Sequence, residues 1–209
     1  EARIRPLDPA TAPLTVLVPL PMITTAVEML AAIEAQEEAE WGHAGHGRGV
    51  ERVAMSLAEA VLLPDRQYDL LRESAVFHDA GKIALDSALW GTRGALSAEQ
   101  RAMMEAHAGL GYDLTGRIDL PDAVRSIILH HHEHWDGTGY PDQLAGEAIP
   151  LRARILFLAE TIDSMLRSSY RRSAMTPAQV AATLEAGAGR IWDPMLARKA
   201  ARIVRGRQP

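Results

Sequence analysis

Val50, Val53, Ala54, Leu57, Ala58 and Val61 recur at the three- and four-residue spacing of one helix face. Nowhere does the chain show the apolar–polar alternation of a half-buried strand. Helices must therefore build the core. Hydrophobic residues make up 47% of the chain but aromatics only 5%, so Ala, Leu, Val and Ile must fill that core. Alanine favours helix and lets neighbouring helices approach closely. The expectation is an all-α bundle of seven or eight helices. At 209 residues the chain suits one domain with a small N-terminal attachment.

Punctuation along the chain divides it further. Pro6, Pro9, Pro13, Pro19 and Pro21 prevent a continuous helix and predict an extended arm or linker. A helix is expected from Ile23 to Ala39, with Val27, Leu30, Ala31 and Ile33 on its apolar side. Residues 1–40 are thus expected to be an arm and a helix leading from a missing upstream domain, and residues 41–209 the main domain. The segment from Trp41 to Gly49, with four glycines, is either a loop or a weak helix start. Pro64 stops the next helix, and Asp65 can cap the one after it, which delivers His78-Asp79 near its C-terminal end. Ser97 with Gln100 fits a capping box opening a helix that carries His107. Pro121 starts a helix ending in a histidine run. Ile155, Leu158, Ala159, Ile162 and Met165 mark a long buried helix. Thr176-Pro177-Ala178-Gln179 is a second capping box, and a final helix is expected from Pro194 to Val204. The chain opens on Glu1 rather than Met, as a piece of a longer protein would.

Charge narrows the function. Lys and Arg number 22 and Asp and Glu 27, a net of −5, which leaves no basic footprint for duplex nucleic acid. A small phosphate ligand remains open to an acidic protein if metal ions supply local positive charge. With no cysteine, disulfides and thiolate zinc sites are excluded and a reducing compartment is allowed; the expected location is cytoplasmic. No apolar run reaches the ~18 residues of a membrane span. Leu14 to Leu30 comes closest, and Pro19, Pro21 and Glu28 interrupt it.

Two stretches carry the chemistry. One is His78-Asp79-Ala80-Gly81-Lys82; the other is His131-His132-Glu133-His134-Trp135-Asp136-Gly137-Thr138-Gly139-Tyr140-Pro141. A single histidine is ordinarily a surface or hydrogen-bonded core residue. Consecutive imidazoles closing an apolar helix (Val124, Ile127, Ile128) have little such explanation. Adjacent helical residues point about 100° apart, so His131 and His132 can share one ion only where the helix ends, or else reach two ions side by side. A carboxylate such as Asp79 can bridge a pair. Mixed imidazole and carboxylate ligands suit iron, manganese or zinc, and paired ions are a standard device for phosphoester hydrolysis.

Taken together, His78-Asp79, Lys82, His107, His131-His132 and Gly139-Tyr140-Pro141 resemble the HD-GYP family of the HD phosphohydrolase superfamily. The likeness spans residues 46 to 195 and includes Ile149-Pro150-Leu151 and Ala153-Arg154-Ile155-Leu156. It implies an HD-type helical bundle with a two- or three-metal centre, and hydrolysis of cyclic di-GMP to linear pGpG and, in some members, onward to GMP. Carried over residue by residue, it implies metal ligation by His46, His78, Asp79, His107, His131, His132 and Glu160, with Asp79 bridging two divalent ions, iron or manganese. Lys82, Arg171 and Tyr140 are then the expected substrate contacts, Lys82 stabilising charge at the scissile phosphate; read without the resemblance, Lys82 is a solvated helix-end cation. The Gly139-Tyr140-Pro141 turn shapes the pocket wall, or meets a diguanylate cyclase or other signalling domain.

Three positions depart from the family pattern. Glu160 stands where Asp is usual; Asp163, one turn on, is an alternative ligand, although its family counterpart is usually structural. Gly42 replaces the Glu of three-metal members, which favours two ions; His43 could compete with His46. Ser168-Ser169-Tyr170-Arg171 lacks one arginine, for which Arg167 or Arg172 is a candidate replacement. Glu133 is expected to fix a ligand imidazole, Gly137 and Gly139 to supply positive φ, and Trp135 either to stack on guanine or to pack. The alternative to an active phosphodiesterase is a weakly active or inactive module that binds cyclic di-GMP; a third reading is an HD phosphohydrolase for another nucleotide.

Overall fold

The computed structural model describes residues 23–42, 44–86, 89, 96–168 and 173–206. Among them are nine helical segments: α1 (Ala26–Trp41), α2 (His46–Ala60), α3 (Asp65–Phe77), α4 (Ala98–Glu105), α5 (His107–Gly116), α6 (Asp122–Leu129), α7 (Leu151–Leu166), α8 (Pro177–Gly187) and α9 (Pro194–Val204). The α4 and α5 segments are separated only by Ala106, so counting them as one broken helix gives the expected eight. Isolated bridges, Asp136 to Ala145 and Ala188 to Trp192, are the only β pairings among the described residues. No described helix is long and apolar enough to cross a membrane.

Local chemistry sets the boundaries. Ser97 and Thr176 each cap their helix through the expected reciprocal box with Gln100 and Gln179. A third box, Thr25 with Glu28, opens α1. Asp193 accepts from the N–H groups of Met195 and Leu196 at the start of α9 and pairs with Arg154 at 2.7 Å. Asp65 departs from expectation: it is the first residue of α3, follows Pro64, and caps nothing through its side chain. Ser97 likewise opens α4 only, because the chain breaks at Ala106 and α5 restarts at His107.

The core falls into two large clusters. Val50, Ala54, Leu57, Leu71, Ile155, Leu158, Ile162, Val180, Leu184 and Leu196 join α2, α3, α7, α8 and α9. Met29, Ile33, Phe77, Leu114, Val124 and Ile128 join α1, α3, α5 and α6. The histidines lie where α2, α3, α5, α6 and α7 converge between them. In α1 the buried side is Met29, Ile33, Gln36 and Glu37; of the predicted stripe Ile33 is buried and Leu30 packs against the core, while Ala31 is exposed and Val27 is 77% exposed. Two polar side chains, Gln36 and Glu37, occupy that buried face, Gln36 bonded to Glu40 and Glu37 to the start of α2.

A short 3-10 turn, Ala80–Ala84, lies against the start of α5. The approach is so close that a Cβ on Gly81 would fall 1.9 Å from the His107 carbonyl oxygen and 2.6 Å from Gly111 N. Both obstacles are backbone and neither can yield. Glycine here is what lets Asp79 and Lys82 lie beside His107. Gly81→Ala is expected to destabilise the fold by about 3 kcal/mol, the upper range for overpacking. In a thermal melt this lowers Tm by roughly 6–12 °C, at about 2–4 °C per kcal/mol for a chain of this size.

Candidate metal centre

Helix ends present nearly every side chain of the centre. His46 is the first residue of α2; His78 and Asp79 follow the last turn of α3; His107 opens α5; His131 and His132 follow α6. Glu160 alone stands inside a helix, α7. Two sets form, each with its ligand atoms within 4.8 Å of one another: His46, His78 and Asp79, and His107, His131 and His132. The adjacent pair thus converges on one position, with ring centroids 4.1 Å apart, because α6 ends before it. Asp79 spans the sets: Oδ2 is 3.4 Å from His78 Nε2 and Oδ1 is 3.8 Å from His107 Nε2. The Glu160 Oε2 atom lies 4.0 Å from His131 Nε2 and 3.8 Å from His132 Nε2.

The ring tautomers follow from the partners. His78 Nδ1 donates to Ala75 O at 2.8 Å, His107 Nδ1 to Met104 O at 2.6 Å and His131 Nδ1 to Ile128 O at 2.5 Å. Each carbonyl lies three residues back, among those a helix C-terminus leaves unpaired. A carbonyl only accepts, so each Nδ1 carries the proton and each Nε2 bears a lone pair. His107 Nε2 and His131 Nε2 face each other at 3.3 Å. Two lone pairs at that distance repel unless a cation lies between them. His78 Nε2, Asp79 Oδ1 and Glu160 Oε2 are buried without a hydrogen-bonding partner, which is costly in a low-dielectric interior. Neutral imidazoles, carboxylates and orphaned lone pairs fit divalent metal ions.

Burial lowers the pKa of His78, His131 and His132 and brings His107 to about 4, so all four are neutral near pH 7. Burial opposes ionisation of Asp79, but the Lys82 ammonium at 2.8 Å outweighs it and holds the carboxyl well below its usual value. Glu160 is pushed up to about 8, first by burial and then by the charge on Asp79. Lys82 is buried, not solvated as a plain helix-end cation would be. Burial disfavours its charge, yet Asp79 Oδ2 at 2.8 Å and Glu40 Oε2 at 3.2 Å keep the ammonium protonated. His132 and Glu160 each retain 15% side-chain exposure, while His46, His78, Asp79, His107 and His131 retain 1% or less. The open side of the centre is therefore at His132 and Glu160. Tyr140 stacks on His132 there, with centroids 4.9 Å apart.

Several expected roles change. The Glu133 carboxylate does not fix a ligand imidazole; it accepts from Asp142 N at 2.7 Å and Leu144 N at 3.1 Å, pinning the loop that follows Tyr140. Gly137 has φ of 81°, as expected. Gly139 instead serves close packing, since a Cβ would fall 2.2 Å from His134 N. Asp163 holds the His46 ring, accepting from Nδ1 at 2.8 Å, and does not join the ligand set. Arg167 bonds Asp163 and donates to Gly45 O at 2.7 Å, so it is committed to structure and does not replace the family arginine. Trp135 packs under Arg154. His130 pairs with Asp142 and His134 with Thr138, outside the centre. His43, Arg171 and Arg172 lie outside the described residues. Sequence reasoning missed Glu37 and Glu40 altogether: in a run reading Glu-Ala-Gln-Glu-Glu-Ala-Glu, nothing separates them from solvated neighbours.

Fold and site together define an all-helical domain with a buried, metal-competent imidazole–carboxylate centre. The chain belongs to the HD domain family, whose model matches residues 24–196. Cyclic di-GMP phosphodiesterase response regulator RpfG of Xanthomonas campestris pv. campestris is 37% identical over 147 residues, covering 69% of this chain and 39% of that protein. The 3'3'-cGAMP-specific phosphodiesterase 2 of Vibrio cholerae is 31% identical over 170 residues, covering 79% of this chain and 31% of that protein. The chain therefore spans well under half the length of these curated relatives. The crystal structure of the cyclic GMP-AMP specific phosphodiesterase V-cGAP3 of Vibrio cholerae superposes with a TM-score of 0.66 at 20% identity, over 85% of this chain and 48% of that one, a likeness of fold.

The neutral imidazoles set a pH dependence for protein stripped of metal by a chelator. Between the usual value of 6.5 and about 4, the unfolded chain binds protons that the buried rings refuse. Stability is therefore full above 6.5 and is lost as pH falls. Glu160, between 4.5 and about 8, and His46, whose pKa the Asp163 carboxylate raises against the pull of burial, act with the opposite sign, two groups against four rings. A fall in Tm on acidification from pH 6.5 towards 4 is the expected result; a flat or rising Tm would contradict buried neutral histidines.

Proposed function

We propose that this chain is a metal-dependent phosphodiesterase domain of HD-GYP type that hydrolyses cyclic di-GMP to linear pGpG. The observation that carries the reading is Asp79, whose two oxygens face one imidazole set each. That placement supports a two-ion centre: His46 and His78 on one side of Asp79, and His107, His131, His132 and Glu160 on the other. Two divalent ions, iron or manganese, would supply an acidified water and neutralise charge on the phosphoryl and leaving oxygens.

The chain's own residues do the rest. Lys82 holds a permanent positive charge beside Asp79, where negative charge develops on the phosphate. Tyr140, on the open side, walls the phosphate cleft and keeps the His132 ring in place. Glu160 Oε2 lies 4.0 Å from His131 Nε2 and 3.8 Å from His132 Nε2, which supports its reading as a ligand in the place of the family Asp. Arg171 is assigned the second phosphate contact, by resemblance. Cyclic di-GMP is preferred over 3'3'-cGAMP on the strength of the Xanthomonas relative. With Tyr140 turned inward, contact of the Gly139-Tyr140-Pro141 turn with a cyclase or other signalling domain falls to Pro141, which is exposed.

The test is purification with iron or manganese under reducing conditions, followed by product analysis with cyclic di-GMP and 3'3'-cGAMP side by side. Metal-dependent linear dinucleotide is expected, with faster turnover of cyclic di-GMP. Tight binding without product in any metal would replace the enzyme by a ligand-binding module, and faster cGAMP cleavage would overturn the substrate assignment. Asp79→Ala should abolish turnover. Lys82→Met should lower kcat by about 10²–10³-fold, the usual loss for one transition-state charge partner. Glu160→Asp should preserve or raise the rate.

A further inference from the structure

The first turn of α2 supplies no cap of its own. Its N-cap is Gly45, at φ 101°, without a side-chain hydrogen bond. The partner comes from another helix. Glu37, on α1 and only 2% exposed, accepts from Gly45 N at 2.5 Å and His46 N at 3.0 Å through Oε2, and from Gly47 N at 2.7 Å through Oε1. One carboxylate thus satisfies three of the N–H groups a helix start leaves unpaired, and its charge opposes the positive end of the helix. On the other flank, Asp163 holds the His46 ring and Arg167 the Gly45 carbonyl.

We infer that Glu37 is a positioning residue for His46, so that α1 belongs to the catalytic unit and occupancy of the first ion position depends on it. The inference rests on the two-ion reading above. A ligand must be held within about 0.5 Å of its working geometry. Asp163 orients the imidazole, but an imidazole is only as fixed as its backbone. Without Glu37, three N–H groups, two of them buried, lose their acceptor, and unwinding one turn of α2 to reach water carries His46 away. His107, His131 and His132 are borne by α5 and the end of α6, which this unwinding leaves alone. One ion position should fail and the other persist, an asymmetry that general destabilisation would not produce.

Manganese loading of the whole chain tests this without any turnover measurement. Wild type, Glu37→Ala, Glu37→Gln and Glu38→Ala are loaded, desalted, analysed for metal and examined by electron paramagnetic resonance. Wild type should hold two exchange-coupled ions. Glu37→Ala should hold one, with a mononuclear hyperfine pattern and affinity at the lost position lower by roughly tenfold or more. Glu37→Gln keeps one acceptor oxygen and should fall between the two. Glu38 is exposed, and Glu38→Ala should match wild type. A coupled pair in Glu37→Ala, or equal weakening of both positions, would overturn the inference. If Glu37→Ala does not fold, Glu37→Gln decides: wild-type affinity at both positions overturns the inference, and selective loss at one supports it. A wild-type chain that holds fewer than two ions sinks the two-ion reading itself, a separate result.

Discussion

The centre depends on a hydrogen bond made three times over, from an imidazole Nδ1 to the carbonyl three residues earlier at the end of a helix. His78, His107 and His131 each make it. The bond uses a carbonyl that the helix terminus leaves unpaired, and it forces the remaining lone pair of the ring to point away from the helix. Three helix ends meeting at one place therefore aim three lone pairs into one buried space. Burial keeps the rings neutral, and Asp79 with Lys82 balances charge within the same space. Stability and chemistry draw on the same contacts here, because those lone pairs are costly to bury without a cation.

Precision of placement comes from close packing around that space. Gly81 lets the turn bearing Asp79 and Lys82 touch α5, and Gly139 lets the Tyr140 turn fold back on the backbone of His132 and Glu133. Glu133 ties down the following loop, so Tyr140 meets His132 on a supported segment. Carboxylates from α1 and α7 then act at second hand: Glu37 on the backbone of His46, Asp163 on its ring and Glu40 on the Lys82 ammonium, with the Gln36 amide donating to Glu40 at 2.8 Å. This explains why α1 buries Gln36 and Glu37 and leaves Val27 in water. Its orientation serves the ends of α2 and the 3-10 turn more than the apolar stripe.

The sequence by itself determined the helical class, most helix boundaries and the two histidine-bearing stretches. Each is a local matter of apolar spacing, capping boxes and proline punctuation, as at Ser97, Thr176 and Pro194. It also marked His131-His132 as odd, since adjacent imidazoles closing an apolar helix have no packing purpose. What only the tertiary structure decided is which lone pairs converge and which carboxylates serve them. Asp163 stood one turn from Glu160 as an alternative ligand, Arg167 as a candidate phosphate-binding arginine, and Glu37 looked like any exposed acid on an acidic helix. Their roles depend on groups across the bundle, up to 122 residues away in the case of Arg167 and Gly45. Hydrogen bonds at that separation leave no periodicity in the chain, because they are set by how helix ends meet and not by the spacing along any one helix.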